Sequence, residues 1–167
     1  KRFQVLLGPM VDLLSYCLLP DRFHFVFFAL DVITIKEEYV DHPGDIGHFV
    51  SETLRKLFST YSLTLIKQEG FAPDKVILDQ NFLRYQLADD DTLRQVICAV
   101  QYLSVKAGAS TQLGEYAYDS MPALMAKGKS VVDKELVFSL FGDKEQLIAS
   151  LDSSPNWLSS PLFGVLK

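Results

Sequence analysis

Two apolar segments on either side of a turn sequence constrain the fold of this chain more than any other feature. Residues 11–19 are apolar and strand-like, and residues 23–35 are rich in phenylalanine, valine and isoleucine, which favour strands. Between them lies Leu19-Pro20-Asp21-Arg22, in which proline pre-sets its φ angle and aspartate favours a turn. The pattern predicts an antiparallel β-hairpin over residues 11–35.

Helical periodicity marks two long segments after the hairpin. Residues 46–68 place apolar side chains at helical spacing, which predicts a long helix. A second helix is expected over residues 89–107, because three aspartates provide an N-cap and a favourable first turn, and Gly108 suits the C-cap. The other predicted elements are the end of a helix over residues 1–8, a strand over 75–87 and two short helices within 131–151.

The order of these elements is typical of an α+β protein. It predicts a ferredoxin-like antiparallel sheet with helices packed on it, a first strand that is missing or lies upstream, and extra C-terminal helices. We expect one domain over residues 1–151 and a C-terminal extension, rich in serine and proline, over residues 152–167. A fold of this class does not specify a function.

Charge and composition bear on the partners of the chain. Its 16 Lys and Arg residues against 21 Asp and Glu residues give a net charge of −5, which argues against broad charge-driven binding of nucleic acid but not against one local groove. No apolar run reaches the roughly 18 residues of a membrane span. Cys17 and Cys98 lie in apolar stretches without metal-ligand spacing, so we expect free buried thiols in a cytoplasmic protein without a membrane partner.

Three positions carry side chains suited to chemistry. Arg22 and His24 lie two residues apart on the second predicted strand, so their side chains share one face. A pair of histidines in that arrangement would bind a divalent metal ion that polarises a phosphate oxygen, whereas arginine cannot bind a metal. Tyr61, on the long predicted helix, is a nucleophile that can attack phosphorus once activated. Polar side chains around Gln101 form a third, weaker candidate.

Each candidate also has a purely structural interpretation. His24 stands among aromatic and apolar residues, and periodicity alone favours a hydrogen-bonded core histidine. Tyr61 falls on the apolar stripe of its helix, where a packed tyrosine is the simpler expectation. Arg22 is more typical of an exposed turn residue, although its fork of donors also suits a phosphate oxyanion and would replace the charge of a metal.

Residues 16–25 (Tyr-Cys-Leu-Leu-Pro-Asp-Arg-Phe-His-Phe) resemble the REP-associated tyrosine transposases, whose pattern reads Tyr-Cys-Leu-Met-Pro-Asn-His-hydrophobic-His-Leu. Residues 57–62 are similar to the family's helix with the nucleophilic tyrosine. Further similar segments follow in the family's order, at residues 81–82 with 89–91, 100–108, 115–120 and 140–142. The resemblance covers residues 1 to about 151, and it is carried by the order and spacing of the segments.

The resemblance implies a set of functional properties. It implies a single-strand DNA transposase with a His-hydrophobic-His metal site, Tyr61 as nucleophile, His24 as a metal ligand and Mg²⁺ or Mn²⁺ as cofactor. It also implies single-stranded or hairpin DNA as partner and a homodimer.

Several positions depart from the family pattern. Arg22 replaces the first metal-binding histidine, and Asp21 replaces the asparagine before it. Leu65 and Ile66 occupy the region where the family places a further polar ligand, Gln101 replaces a histidine, and Leu103-Ser104 replaces an Asn-Pro pair. Of the expected chemistry, His24 and Tyr61 remain.

The matches to the family pattern and the departures from it leave three possible functions. We expect a transposase-like protein that binds single-stranded or hairpin DNA and is impaired in metal-dependent nicking and rejoining by tyrosine. It would need no cofactor unless the activity survives, in which case Mg²⁺ or Mn²⁺ is expected. An active enzyme that nicks DNA through Tyr61 is the second possibility. The third is an interaction or scaffold protein on the same fold without nucleic acid, which the pI of 5.1 favours.

Overall fold

The computed structural model describes residues 2–30, 46–78 and 82–152, which form an α+β structure as predicted. Its one sheet in these ranges has two strands and lies among helices. The elements in chain order are α1 (Arg2–Leu6), β1 (Val11–Leu18), β2 (Phe23–Ala29), α2 (Ile46–Glu69), α3 (Asp90–Lys106), α4 (Met121–Met125), α5 (Lys134–Phe141) and α6 (Lys144–Asp152). None of these helices combines the length and the apolar character of a transmembrane span.

The predicted hairpin is confirmed for strands β1 and β2. The backbone N–H of Leu19 donates to the carbonyl oxygen of Arg22 at 2.8 Å, which closes the turn around Pro20 and Asp21. The predicted continuation of the second strand over residues 31–35 lies outside the described residues. β1 also pairs with residues 118–120 through an antiparallel bridge between Cys17 and Asp119.

Helix α3 begins and ends where its local sequence directs. The Asp89 carboxylate accepts the backbone N–H of Thr92 at 2.7 Å, which satisfies an N-terminal donor of the helix. At the other end, Gly108 has φ +71°, and the N–H of Ala109 reaches the carbonyl oxygen of Ser104 at 2.8 Å. This is the glycine-dependent helix ending predicted for this position.

The strand predicted over residues 75–87 is wrong for the described part of that segment. Residues 75–78 and 82–88 have no regular secondary structure. The Phe82 ring packs edge-on against Phe58 of α2 with 5.9 Å between centroids, and Arg84 donates to the Ser51 hydroxyl at 3.1 Å. Side chains thus attach this segment to a helix. With two strands in the described sheet, the finer ferredoxin-like arrangement stays a prediction.

The chain divides into two compact units, and the domain predicted over residues 1–151 stays a prediction. The first unit comprises Lys1–Val11 and Ala29–Tyr85, and the second comprises Asp12–Phe28 and Gln86–Lys167. In the first unit, α1 packs against α2, whose buried Val50, Leu54 and Phe58 recur at four-residue spacing and so lie on one face.

In the second unit, α5 packs against both α3 and α6. Two hydrogen bonds tie the helices together, from Arg94 to the carbonyl oxygen of Leu140 and from the Tyr102 hydroxyl to that of Leu151. The predicted division of residues 131–151 into two helices at Gly142 is confirmed. Helix α6 ends at Asp152, and the rest of the predicted extension, residues 153–167, lies outside the described residues.

Candidate functional site

The hairpin turn holds an exposed ion pair between two neighbouring residues. Arg22 donates from Nε to one Asp21 carboxylate oxygen at 3.1 Å and from Nη2 to the other at 2.9 Å. These hydrogen bonds lower the pKa of the Asp21 carboxyl and raise that of the Arg22 guanidinium. Arg22, the residue predicted to bind phosphate, therefore already binds the Asp21 carboxylate through two nitrogens of its guanidinium.

His24 lies on β2, two residues after Arg22, and is partly buried. Its charge contributes slightly to the lowered pKa of Asp21, so the imidazole interacts with the turn. In the described ranges, no three His, Cys, Asp or Glu side chains form a group that could hold a metal ion. The guanidinium of Arg22, two residues before His24, is cationic and cannot bind a metal, so this pair of side chains does not fit a divalent ion.

Tyr61 lies on α2, in the first unit, whereas Arg22 and His24 belong to the second unit. Its side chain is 50% exposed, while Phe58, one turn earlier, is buried. Tyr61 thus lies beside the buried stripe of α2 rather than within it. Its position is that of a side chain accessible to a partner, in contrast to the packed tyrosine that periodicity favoured.

A buried polar cluster lies where β1, α3 and residues 119–120 meet in the second unit. Each of its members is at most 1% exposed. The cluster comprises Ser15, Gln101, Ser104, Asp119 and Ser120. Of these residues, the sequence analysis singled out Gln101 as a candidate. Ser15, a serine within the apolar strand β1, could also have indicated the cluster, because a buried hydroxyl needs a hydrogen-bonding partner.

Gln101 connects the two serines of this polar cluster. Its Nε2 donates to Ser15 Oγ at 2.9 Å and to Ser120 Oγ at 2.7 Å. Ser120 Oγ also accepts the N–H of Tyr16 at 3.0 Å, so both its lone pairs are used and its own proton must go to Ser15 Oγ, 3.2 Å away. Gln101 Oε1 is buried and accepts no hydrogen bond from the described residues.

Asp119 is the charged member of the polar cluster. One carboxylate oxygen accepts from Ser104 Oγ and the other from the N–H of Met121, each at 3.0 Å. Burial raises the pKa of the Asp119 carboxyl, against the lowering effect of these hydrogen bonds. A closed cluster of this kind fixes residues 119–121 against β1 and α3, and it offers no exposed group to a substrate.

The raised pKa of Asp119 predicts a pH dependence of stability. The folded state binds this proton more tightly than the unfolded state, so the contribution of Asp119 is complete below its ordinary pKa of 3.8 and is lost as the pH rises through the higher folded value. In Asp119→Asn, the amide oxygen can accept from Met121 and the amide nitrogen can donate to Ser104. We expect this variant to be at least as stable as the wild type at neutral pH.

Urea unfolding of both proteins across the acidic-to-neutral range measures this difference. The stability of Asp119→Asn relative to the wild type should increase as the pH rises. Ser104→Ala is the control, because it removes a hydrogen bond from the carboxylate and keeps the charge. A variant that loses stability relative to the wild type as the pH rises would show that the buried carboxylate is favourable as an anion.

A pair of tyrosines lies beside the hairpin turn in the second unit. The Tyr116 hydroxyl donates to the carbonyl oxygen of Leu18 at 2.8 Å, and the Leu18 N–H donates to the carbonyl oxygen of Tyr118 at 2.9 Å. The two rings meet edge to face with 5.6 Å between centroids. The Tyr118 side chain is 63% exposed, so this tyrosine pair presents an aromatic surface next to the turn.

Comparison with known proteins does not add a family to these observations. Protein-family models, curated proteins and solved structures were compared with the chain, and none of them matches it. The transposase resemblance therefore remains an expectation drawn from the residues of the chain itself.

Proposed function

We propose that this chain is a transposase-like protein that binds single-stranded or hairpin DNA and is impaired in metal-dependent nicking and rejoining. The observation that carries the proposal is the ordered resemblance of residues 16–25, 57–62 and the later segments to the REP-associated tyrosine transposases. By the same resemblance it acts as a homodimer. A cytoplasmic location agrees with its two free cysteines, Cys17 and Cys98.

Two features of the structure support impaired chemistry. Arg22 stands where the family has its first metal-binding histidine, and its guanidinium is engaged by Asp21. Gln101 stands where the family has a histidine, and it is fully buried in the polar cluster. Side chains committed in this way contribute to the fold and do not face a substrate.

Exposed side chains support the retention of DNA binding. Arg22 and Asp21 are both exposed, and an exposed ion pair contributes little to stability. The guanidinium can therefore exchange the carboxylate for a phosphate, with which it forms the same bidentate geometry. Tyr61 is exposed on its own unit and remains available to stack or to react.

Hairpin DNA with a single-stranded flank tests the binding, by fluorescence anisotropy at low and moderate salt. The wild type should bind, and Arg22→Ala should weaken binding about ten-fold, with a shallower salt dependence, because one phosphate contact is lost. Asp21→Asn should tighten binding, since it releases the Arg22 guanidinium from its ion pair and removes a negative charge. Equal affinities for all three proteins would exclude Arg22 as a phosphate ligand.

Incubation of the same DNA with Mg²⁺ or Mn²⁺ tests the chemistry. We expect no covalent protein–DNA adduct from the wild type on denaturing gels. Arg22→His, which places histidines at positions 22 and 24 as in the family pattern, is the variant in which an adduct is easiest to detect. A wild-type adduct that disappears in Tyr61→Phe would show that the enzyme is active and would contradict the impairment.

The acidic balance of the chain favours a second candidate function. A net charge of −5 suits an interaction or scaffold protein that does not contact nucleic acid. No binding of any hairpin or single strand at low salt would replace the first proposal with this one. Light scattering on the purified protein measures the oligomeric state in either case, and a monomer would contradict the homodimer.

A further inference from the structure

Backbone hydrogen bonds to β1 hold the segment that carries Tyr118. The carbonyl oxygen of Tyr118 accepts from the N–H of Leu18 at 2.9 Å, and the N–H of Ser120 donates to the carbonyl oxygen of Tyr16 at 2.9 Å. The next residue, Asp119, is anchored by its carboxylate to the N–H of Met121 and to the Ser104 hydroxyl. The backbone beneath the tyrosine pair is therefore already ordered, and binding of a ligand does not cost the entropy of ordering it.

A rigid, exposed aromatic ring suits a flat partner. A tyrosine side chain has few rotatable bonds, so little conformational freedom is lost when it is covered. The Tyr116 ring supports Tyr118 edge to face and is itself held by its hydroxyl on Leu18. These contacts leave 63% of the Tyr118 side chain open to solvent.

The exposed ring of Tyr118 matches a nucleobase in size. Leu18, which bonds through its backbone to both tyrosines, is 37% exposed and lies beside the tyrosine pair. A stable protein interface covers about 800 Å² on each partner, whereas a single unpaired base covers one aromatic ring.

A cation lies at the same end of β1 as the tyrosine pair. The N–H of Leu19 bonds to the carbonyl oxygen of Arg22, and the N–H of the preceding Leu18 bonds to that of Tyr118. The backbones of Arg22 and Tyr118 are therefore both bonded to the last residues of the first strand and the start of the turn. In single-stranded nucleic acid every base is linked to a phosphate, so a ligand stacked on the ring also brings a phosphate to this end of the strand.

We infer that Tyr118 is a stacking platform for an unpaired base in the single strand that flanks a DNA hairpin, with Arg22 contacting the adjacent phosphate. The inference deepens the proposed function and rests on it. It assigns recognition of the single-stranded part of the DNA to the tyrosine pair and the turn.

Two matched DNA ligands and three variants test the stacking role by fluorescence anisotropy. One hairpin carries a single-stranded flank and the other has a blunt end. Tyr118→Ala should bind the flanked hairpin between about 5-fold and about 100-fold more weakly than the wild type, because one base–aromatic stack is lost. Tyr118→Phe should bind like the wild type, since the ring is kept. Tyr85→Ala, which removes a 57% exposed tyrosine from the first unit, is the control and should also bind like the wild type.

Abasic nucleotides in the flank provide the second arm of the experiment. They should weaken wild-type binding by the same factor as Tyr118→Ala and have no further effect on that variant, because both changes remove one contact. A drop in affinity of Tyr118→Ala for the blunt hairpin as well would overturn the inference. Additive effects of the abasic flank and the variant would overturn it too.

The outcomes separate the two proposals. If the wild type binds the flanked hairpin and Tyr118→Ala binds equally well, the stacking role is wrong and the DNA-binding function stands. If the wild type binds neither ligand, the proposed function fails and the inference falls with it. Self-association that is lost in Tyr118→Ala, without DNA binding, would assign the surface to a protein partner instead.

Discussion

Replacing Gln101 by alanine is expected to lower the free energy of unfolding by about 3 kcal/mol. The side chain is fully buried, and its Nε2 donates to both Ser15 and Ser120. Alanine removes these two hydrogen bonds and leaves a cavity between β1, α3 and residues 119–120. Urea unfolding of the variant and the wild type at neutral pH measures the loss.

Two further substitutions of Gln101 separate the contribution of its volume to stability from that of its polar groups. Gln101→Leu should cost less, about 1 kcal/mol, because leucine fills the space, removes the carbonyl oxygen that accepts no hydrogen bond and leaves Ser15 and Ser120 bonded to each other. Gln101→Glu should cost the most at neutral pH, because it buries a second carboxylate in the cluster that contains Asp119. Equal costs for alanine and leucine would show that the hydrogen bonds outweigh the packing.

The pH dependence of Gln101→Glu has a defined sign. Burial raises the pKa of a carboxyl at this position, so its destabilisation develops as the pH rises and is relieved as the pH falls and the side chain takes up a proton. The stability of Gln101→Glu should therefore approach that of the wild type at acidic pH. A variant that is equally unstable at both pH values would show that shape, and not charge, is the cause.

Both cysteine thiols are expected to resist labelling in the folded protein by a factor of about a thousand. Burial raises the pKa of Cys17 and of Cys98 to about 12, against an ordinary value of 9.0, and the Asp119 carboxylate adds to the effect at Cys17. Since the thiolate is the reactive form, its depletion slows the reaction in proportion, and burial slows it further.

A colorimetric disulfide reagent measures this protection at mildly alkaline pH. The same reaction in concentrated guanidinium chloride is the reference, and both thiols should react rapidly there. Cys17 should gain reactivity in Gln101→Ala, because opening of the destabilised second unit becomes more frequent. Rapid labelling of Cys17 in the native wild type would contradict the closed packing of β1 against α3.

Local chemistry accounts for the parts of the fold that the sequence predicted well. The caps of α3 at Asp89 and Gly108 depend on residues within four positions of each helix end, and the turn at Pro20 and Asp21 depends on its own residues. Such features follow from short stretches of chain. They explain why the sequence predicts the turn of the hairpin and, within two residues, the bounds of the long helices α2 and α3.

Contacts between distant residues account for the rest. Gln101 and Ser15 are 86 positions apart, and no periodicity in either element indicates that their side chains meet. The segment around Phe82 alternates like a strand, yet its ring packs on α2 because Phe58 offers a partner there. Periodicity predicts which face of an element is buried, but it does not predict what that face is buried against.

The hairpin turn and the polar cluster differ in how readily they can accept substitutions during evolution. At Arg22, a different side chain has little structural cost, because this residue is exposed and its guanidinium contacts the neighbouring Asp21. At Gln101, most replacements would disturb hydrogen bonds to two buried serines that belong to other segments of the chain. A change at Gln101 therefore needs coordinated changes at Ser15 and Ser120, so the polar cluster restricts the sequences open to this chain far more than the turn does.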